Sequence, residues 1–126
     1  MDHARHRREA QPQSGLDESR RRSARRSIFH AATMGYASDT TVLDSIITTH
    51  GLSWGLDRIV AATVNHSIWF HRPFRFDEWA LYATESPVAA GSRGLATGRF
   101  FSMDGQLLAT VVQEGLIRHF PKRERA

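Results

Sequence analysis

The chain has 126 residues, with 17 Lys or Arg, 13 Asp or Glu, seven His and no Cys, a length that fits one domain better than two. The missing cysteine excludes a disulfide framework, a thiolate metal site and a cysteine nucleophile, and the apolar runs are too short for any segment to span a bilayer as a helix. The formal charge of +4 sits entirely in the first quarter, because residues 1–30 hold eight Arg and four acids while residues 31–126 hold nine of each sign.

Residues 1–27 are rich in Arg, Gln and Ser, and Leu16 is their only large aliphatic side chain after Met1. Such a segment buries too little apolar surface to offset its ordering entropy, which predicts a mostly disordered tail. It has no apolar stretch of the kind a secretory signal needs, and Asp2, Glu9, Asp17 and Glu18 are too many acids for a mitochondrial transit peptide. Arginine neutralises phosphate, so a nucleic-acid-binding arm is conceivable. The lack of aromatic side chains between the arginines to stack on bases argues against it.

From Ile28 to His50 the spacing predicts a helix. Phe29, Ala32, Tyr36, Leu43, Ile46 and Ile47 recur at three- and four-residue intervals, and Gly51 follows as a cap. Four strands are expected after it: Arg58 to Phe70, ended by the break at Pro73, then Trp79 to Ser86, Gly94 to Met103 and Gln106 to His119. The pair Asp104-Gly105 signals a tight turn between the last two. The resulting fold class is α+β, with one long helix covering one face of a mainly antiparallel sheet. The domain spans residues 28–120, and residues 121–126 form a short C-terminal tail. So small a core is expected to gain from dimerisation or from a sheet continued across chains.

Several polar groupings offer little chemistry. His66 and His71 lie five apart on an expected strand, so alternation sends them to opposite faces, and a metal site between them is disfavoured. Arg72 and Arg75 in HRPFR suit a phosphate, but loop charge in solvent is the plainer account. Ser38, Ser67 and Ser92 lack the setting of a nucleophile elbow. Trp54, Trp69 and Trp79 fit core or interface better than a cofactor site.

Asp39, Thr63 and Gln113 are more informative. Asp39 is a short acid in mid-helix, followed by two further poor helix formers. Gln113 interrupts the apolar run of the last strand, where a buried amide needs partners for its carbonyl and both N–H groups. Thr63 suits a strand for ordinary reasons. Taken alone, each is more readily structural than catalytic.

The strings GYASD, ATVNHSIWFHRPF, EW-x-LY-x-x-ES, SRG-x-x-x-G and DG-x-LLAT-x-x-QEG run in order from Gly35 to Gly115. Together they resemble the C-terminal half of the acyl-CoA thioesterase II (TesB-like) family. The resemblance covers residues 28–119 and implies a single hotdog module, a long helix wrapped by a curved antiparallel sheet. It also implies hydrolysis of acyl-CoA thioesters. The family's catalytic Asp, Thr and Gln fall on Asp39, Thr63 and Gln113, which would hold and polarise a water without any covalent acyl-enzyme. No cofactor and no metal are implied. The residue before His66, usually Asp in the family, is Asn65, and altered hydrogen bonding is expected there. The family's N-terminal module has no counterpart, and no β-like run precedes Phe29. The module is therefore expected to pair with a second copy or with another hotdog module. The alternatives are a non-catalytic partner subunit, an inactive fragment or, from another class, an Arg-tailed nucleic-acid-binding protein. The ending PKRERA is not a peroxisomal signal, so a cytoplasmic location is the default expectation.

Overall fold

The computed structural model describes residues 13–54 and 58–120. One helix, α1 (Gln13–Thr49), is followed by β1 (Arg58–Phe70), β2 (Ala80–Ala90), β3 (Arg93–Ser102) and β4 (Leu107–Phe120). The strands form one antiparallel sheet in the order β1-β4-β3-β2. The helix crosses one face of the sheet and touches all four strands. This is the helix-on-sheet arrangement expected from the sequence. No helix among the described residues is long and apolar enough to cross a membrane.

The helix departs from expectation at its start. It begins at Gln13 rather than Ile28, so residues 13–27, expected to be disordered, are helical, while residues 1–12 and 121–126 lie outside the described residues. Apolar content decides whether a segment packs, whereas helix formation needs only local bonds and good formers such as Arg and Glu. The pair Glu18–Arg22, at 2.7 Å, adds one turn-spanning contact. The side chains of residues 15–28 all remain exposed. Removing residues 1–26 is therefore expected to shift the melting temperature by no more than a degree or two in a calorimetric scan. A loss of several degrees would show that the segment packs on the domain.

The buried stripe also differs in phase. Met34, Ser38, Val42, Ile46 and Ile47 are almost fully buried, while Phe29 and Tyr36 are exposed. Stepping back from Ile46 by four residues at a time gives Val42, Ser38 and Met34, and at 100° per residue Phe29 and Tyr36 fall far to the side. A buried serine at the centre of this stripe conceals the true face from a count of apolar residues. The other end of α1 is as expected. Gly51 (φ +76°) closes it, with Leu52 N–H donating to Ile47 C=O at 2.9 Å and Gly51 N–H to Thr48 C=O at 3.3 Å, a Schellman closure in which Leu52 packs back on the core.

Strand limits fall close to those read from the sequence, and β1 matches them at both ends. The β2–β3 connection is a two-residue turn with positive φ at both Gly91 and Ser92, the geometry that suits the twist of a hairpin. β2 runs past Ser86 because Pro87 sits in a bulge on an edge strand, where its missing N–H breaks no ladder bond. The helix lies close to the sheet because small residues underlie it: a side chain on Gly94 would overlap Ile46, and one on Gly115 would overlap Leu43.

Two apolar clusters form the core. Met34, Phe100, Leu108, Ala109 and Val111 make one, and Val42, Ile46, Ile47, Ala96 and Ile117 the other. Tyr82 packs against both and stacks on Phe100 with ring centroids 4.0 Å apart. Ser38 and Gln113, each fully buried, lie on the helix and strand that carry both clusters. They anchor a polar seam between helix and sheet.

Candidate active site

The seam is a chain of side-chain hydrogen bonds. Thr63 Oγ1 donates to Asp39 Oδ1 at 3.1 Å, and Gln113 Nε2 donates to Thr63 Oγ1 at 2.9 Å. Gln113 Oε1 meets His66 Nδ1, and His66 Nε2 lies 2.9 Å from Ser38 Oγ. Residues 24 and 50 positions apart in sequence are thus brought together from α1, β1 and β4. Among the described residues no buried side-chain N or O lacks a partner, as a buried polar seam requires.

Backbone register explains how β1 supplies both Thr63 and His66. Three residues apart on a regular strand, they would face opposite ways. The ladder to β4 shifts between Thr63 and Asn65, pairing Thr63 with Gly115 and Asn65 with Glu114, so Val64 is an extra residue. Ahead of this bulge Ile59 and Ala61 pack under the helix, and beyond it Ile68 does. The bulge therefore turns Thr63 and His66 to the same face. His66 sits directly opposite Gln113 in the ladder, and Gly115, with no side chain, stands across from Thr63.

Chemistry fixes the direction of the bonds. A charged carboxylate only accepts, so Thr63 gives its single proton to Asp39 and must accept from an N–H, which places Gln113 Nε2 toward Thr63 and Oε1 toward His66. Tyr82 closes the seam from β2 by donating to Ser38 C=O at 3.3 Å. Burial, and after it the Asp39 charge, push its hydroxyl up to about 12, so it stays a donor through the neutral range.

The three residues singled out from the sequence, Asp39, Thr63 and Gln113, are joined in one hydrogen-bonded chain with Thr63 in the middle. The sequence alone offers Ser38 and His66 only as a nucleophile and a metal ligand. Their place in the seam was hidden because a bulge leaves no signal in a β-branched run. His71 does lie on the other face, 2.8 Å from Thr110. Arg75 is tied to Asp77 and Glu78 in an exposed loop, and holds the Asp77 carboxyl down at about 2 through hydrogen bonding. Asn65 stands on the outer face, where its amide donates to Glu114 Oε2 at 3.1 Å and accepts from Glu114 N–H at 3.3 Å. Two carboxylates could not make that pair, and the change lies on the far side of the sheet from Asp39.

The seam opens to solvent on one side, with Thr63 exposed and Asp39 half-buried. A cleft of about 700 Å³, lined by Met34, Phe74, Phe76, Trp79, Phe100 and Leu108 among others, contains none of the three residues.

The acyl-CoA thioesterase family model matches residues 6–116. Over 85 residues the chain is 48% identical to acyl-CoA thioesterase 2 of Haemophilus influenzae, a stretch covering 68% of this chain and 30% of that protein. Human acyl-coenzyme A thioesterase 8 is 43% identical over 94 residues, covering 75% of this chain and 29% of its own. In structure, the acyl-CoA thioesterase II TesB2 from Mycobacterium marinum gives a TM-score of 0.67 at 40% identity, over 75% of this chain and 36% of that one. The BH2602 protein from Bacillus halodurans, solved with CoA, gives 0.56 at 15% identity and shares the fold alone. The chain spans only 29–36% of the length of the first three. With a family model matching most of its length and relatives above 40% identity, the chain belongs to the acyl-CoA thioesterase family.

Proposed function

We propose that this chain is a single hotdog module that hydrolyses acyl-CoA thioesters to the free acid and CoA. The observation that carries this reading is the fully buried Gln113 amide, which links to Asp39 through Thr63. A buried amide joined to a half-buried carboxylate at an open rim suits the holding of one water. Asp39 is the general base, and Thr63 and Gln113 orient the water. The water oxygen attacks the thioester carbonyl carbon and its proton passes to Asp39. The C–S bond then breaks, and the CoA thiolate leaves to take up a proton. No acyl-enzyme forms. Gln113→Ala and Thr63→Val each cost less than loss of the base, because they orient the water without taking its proton.

The rim must be covered for such a site to hold a long acyl thioester in low dielectric, and a second module is the natural cover. Both edge strands expose large apolar side chains: Trp69 and Val60 on β1 are 52% and 54% exposed, and Leu81 on β2 is 63% exposed. Unpaired, apolar edges of this kind invite another sheet. The chain is expected to be at least a dimer at micromolar concentration, or to pair with another hotdog module. Size-exclusion with light scattering checks this, and a cooperatively melting monomer would count against it.

The open rim also favours a second reading, a non-catalytic partner subunit. Thiol release from acyl-CoA, followed on the same chromatographic fraction, separates the two. Turnover by the purified assembly supports the hydrolase, and an inactive, well-folded dimer supports the partner subunit.

A further inference from the structure

The direction of the hydrogen-bond chain demands something of His66. Gln113 Oε1 only accepts, so His66 Nδ1 must carry a proton, while in a free neutral imidazole the Nε2–H tautomer is the commoner one. Something has to hold the ring in the rarer form, and Ser38 is the group within reach. Its hydroxyl has one proton and two acceptors, His66 Nε2 at 2.9 Å and Gly35 C=O at 2.8 Å.

We propose that Ser38 and His66 are positioning residues, in which a proton given by Ser38 to His66 Nε2 fixes the Nδ1–H tautomer and thereby the orientation of the Gln113 amide toward Thr63 and Asp39. This deepens the thioesterase reading and, for its kinetic consequences, rests on it. Every donor then points along one line, from Ser38 through His66, Gln113 and Thr63 to the Asp39 carboxylate. Reversal at His66 would set a lone pair against Oε1, and the amide would have to turn over. Thr63 would then face a carbonyl and give its proton to it, and the hydrogen bond to Asp39 would be lost. The ring is half-buried and Ser38 fully so, which leaves bulk water little part in the choice.

Protonation of His66 does not break the chain. With both ring nitrogens donating, Nδ1 still serves Gln113, Nε2 turns to Ser38 Oγ, and the serine proton moves to Gly35 C=O. The titratable groups that reach the seam are Asp39 from α1 and Tyr82 from β2, whereas β4 brings neutral Gln113 and β3 places Ala96 opposite it. The Tyr82 hydroxyl, pushed up by burial, stays neutral and keeps donating.

Ser38→Ala supplies the test. Without the serine proton the neutral ring reverts toward Nε2–H, while the doubly protonated ring keeps Nδ1–H unaided. The expected result is a kcat lowered by roughly tenfold at pH 8, the rate equivalent of about one net hydrogen bond, with KM for acyl-CoA unchanged. The ratio of parent to variant rates should shrink toward one at a pH low enough to protonate the ring. A merely structural defect would give a pH-independent ratio and would overturn the proposal. The tautomer itself is read from long-range ¹H–¹⁵N spectra of the parent at pH 8, which need neither turnover nor a variant. A proton on Nδ1 is expected, and a proton on Nε2 overturns the inference. An inactive parent with the Nδ1–H form would instead refute the thioesterase reading while the positioning role stands.

Discussion

Asp39→Asn should lower kcat for acyl-CoA hydrolysis by roughly 100- to 10,000-fold, or about 3–5 kcal/mol of barrier, while the protein stays folded. The substitution keeps the side-chain shape and leaves an oxygen to accept from Thr63 Oγ1, which now sits 3.1 Å away. What it removes is the group proposed to take the proton from water. Asp39 is half-buried and belongs to neither apolar cluster, so the melting temperature should move little. Thr63→Val and Gln113→Ala break the same chain elsewhere and should cost less alone. Added to Asp39→Asn they should cost almost nothing more, because members of one unit are not additive. A folded Asp39→Asn protein that turns over acyl-CoA as fast as the parent would rule out this carboxylate as the base.

Chain order made the architecture legible, since one helical period followed by four extended runs leaves few ways to bury both faces. β1 and the Asp104-Gly105 turn, where Gly105 has φ +83°, were visible because β-branched residues and turn chemistry act locally. Three features were not. The start of α1 was hidden because the Arg-rich stretch can form helical bonds without having anything to pack. The phase of the buried stripe was hidden because Ser38 occupies a core position that an apolar count skips. The polar seam was partly hidden because Val64 reads like any other strand residue, although its insertion turns Thr63 and His66 to one face. Asp39, Thr63 and Gln113 could be named from motif strings, but their contact depends on that bulge. No spacing rule applied to the sequence would have shown His66 lying across from Gln113.

The closeness of helix and sheet also sets a large energetic expectation. Ile46 is 1% exposed and rests where a side chain on Gly94 would have to go. Truncating it to Ala leaves a cavity above β3, and such losses run to about 2–5 kcal/mol. Against a total stability of about 5–15 kcal/mol for a domain, that is a large fraction. For a core of this size each kcal/mol is worth about 4–8 °C, so Ile46→Ala should melt at least 8 °C lower. Gly94→Ala alone should also destabilise, by about 1–3 kcal/mol, because its Cβ overlaps the isoleucine and the helix must lift. Gly94 does not have a positive φ, so alanine brings no backbone strain of its own. The two changes together should then partly cancel, since the new methyl enters the space the isoleucine has left. A double-mutant cycle by denaturant melts should give a coupling of about 1–3 kcal/mol in favour of the pair. Simple additivity would mean that the helix does not rest on β3 at this point. Asp39 is carried on the same helix two turns earlier, so its distance to Thr63 would no longer be set by this contact. Activity restored in the double variant relative to Gly94→Ala would tie the packing of α1 to the seam it positions.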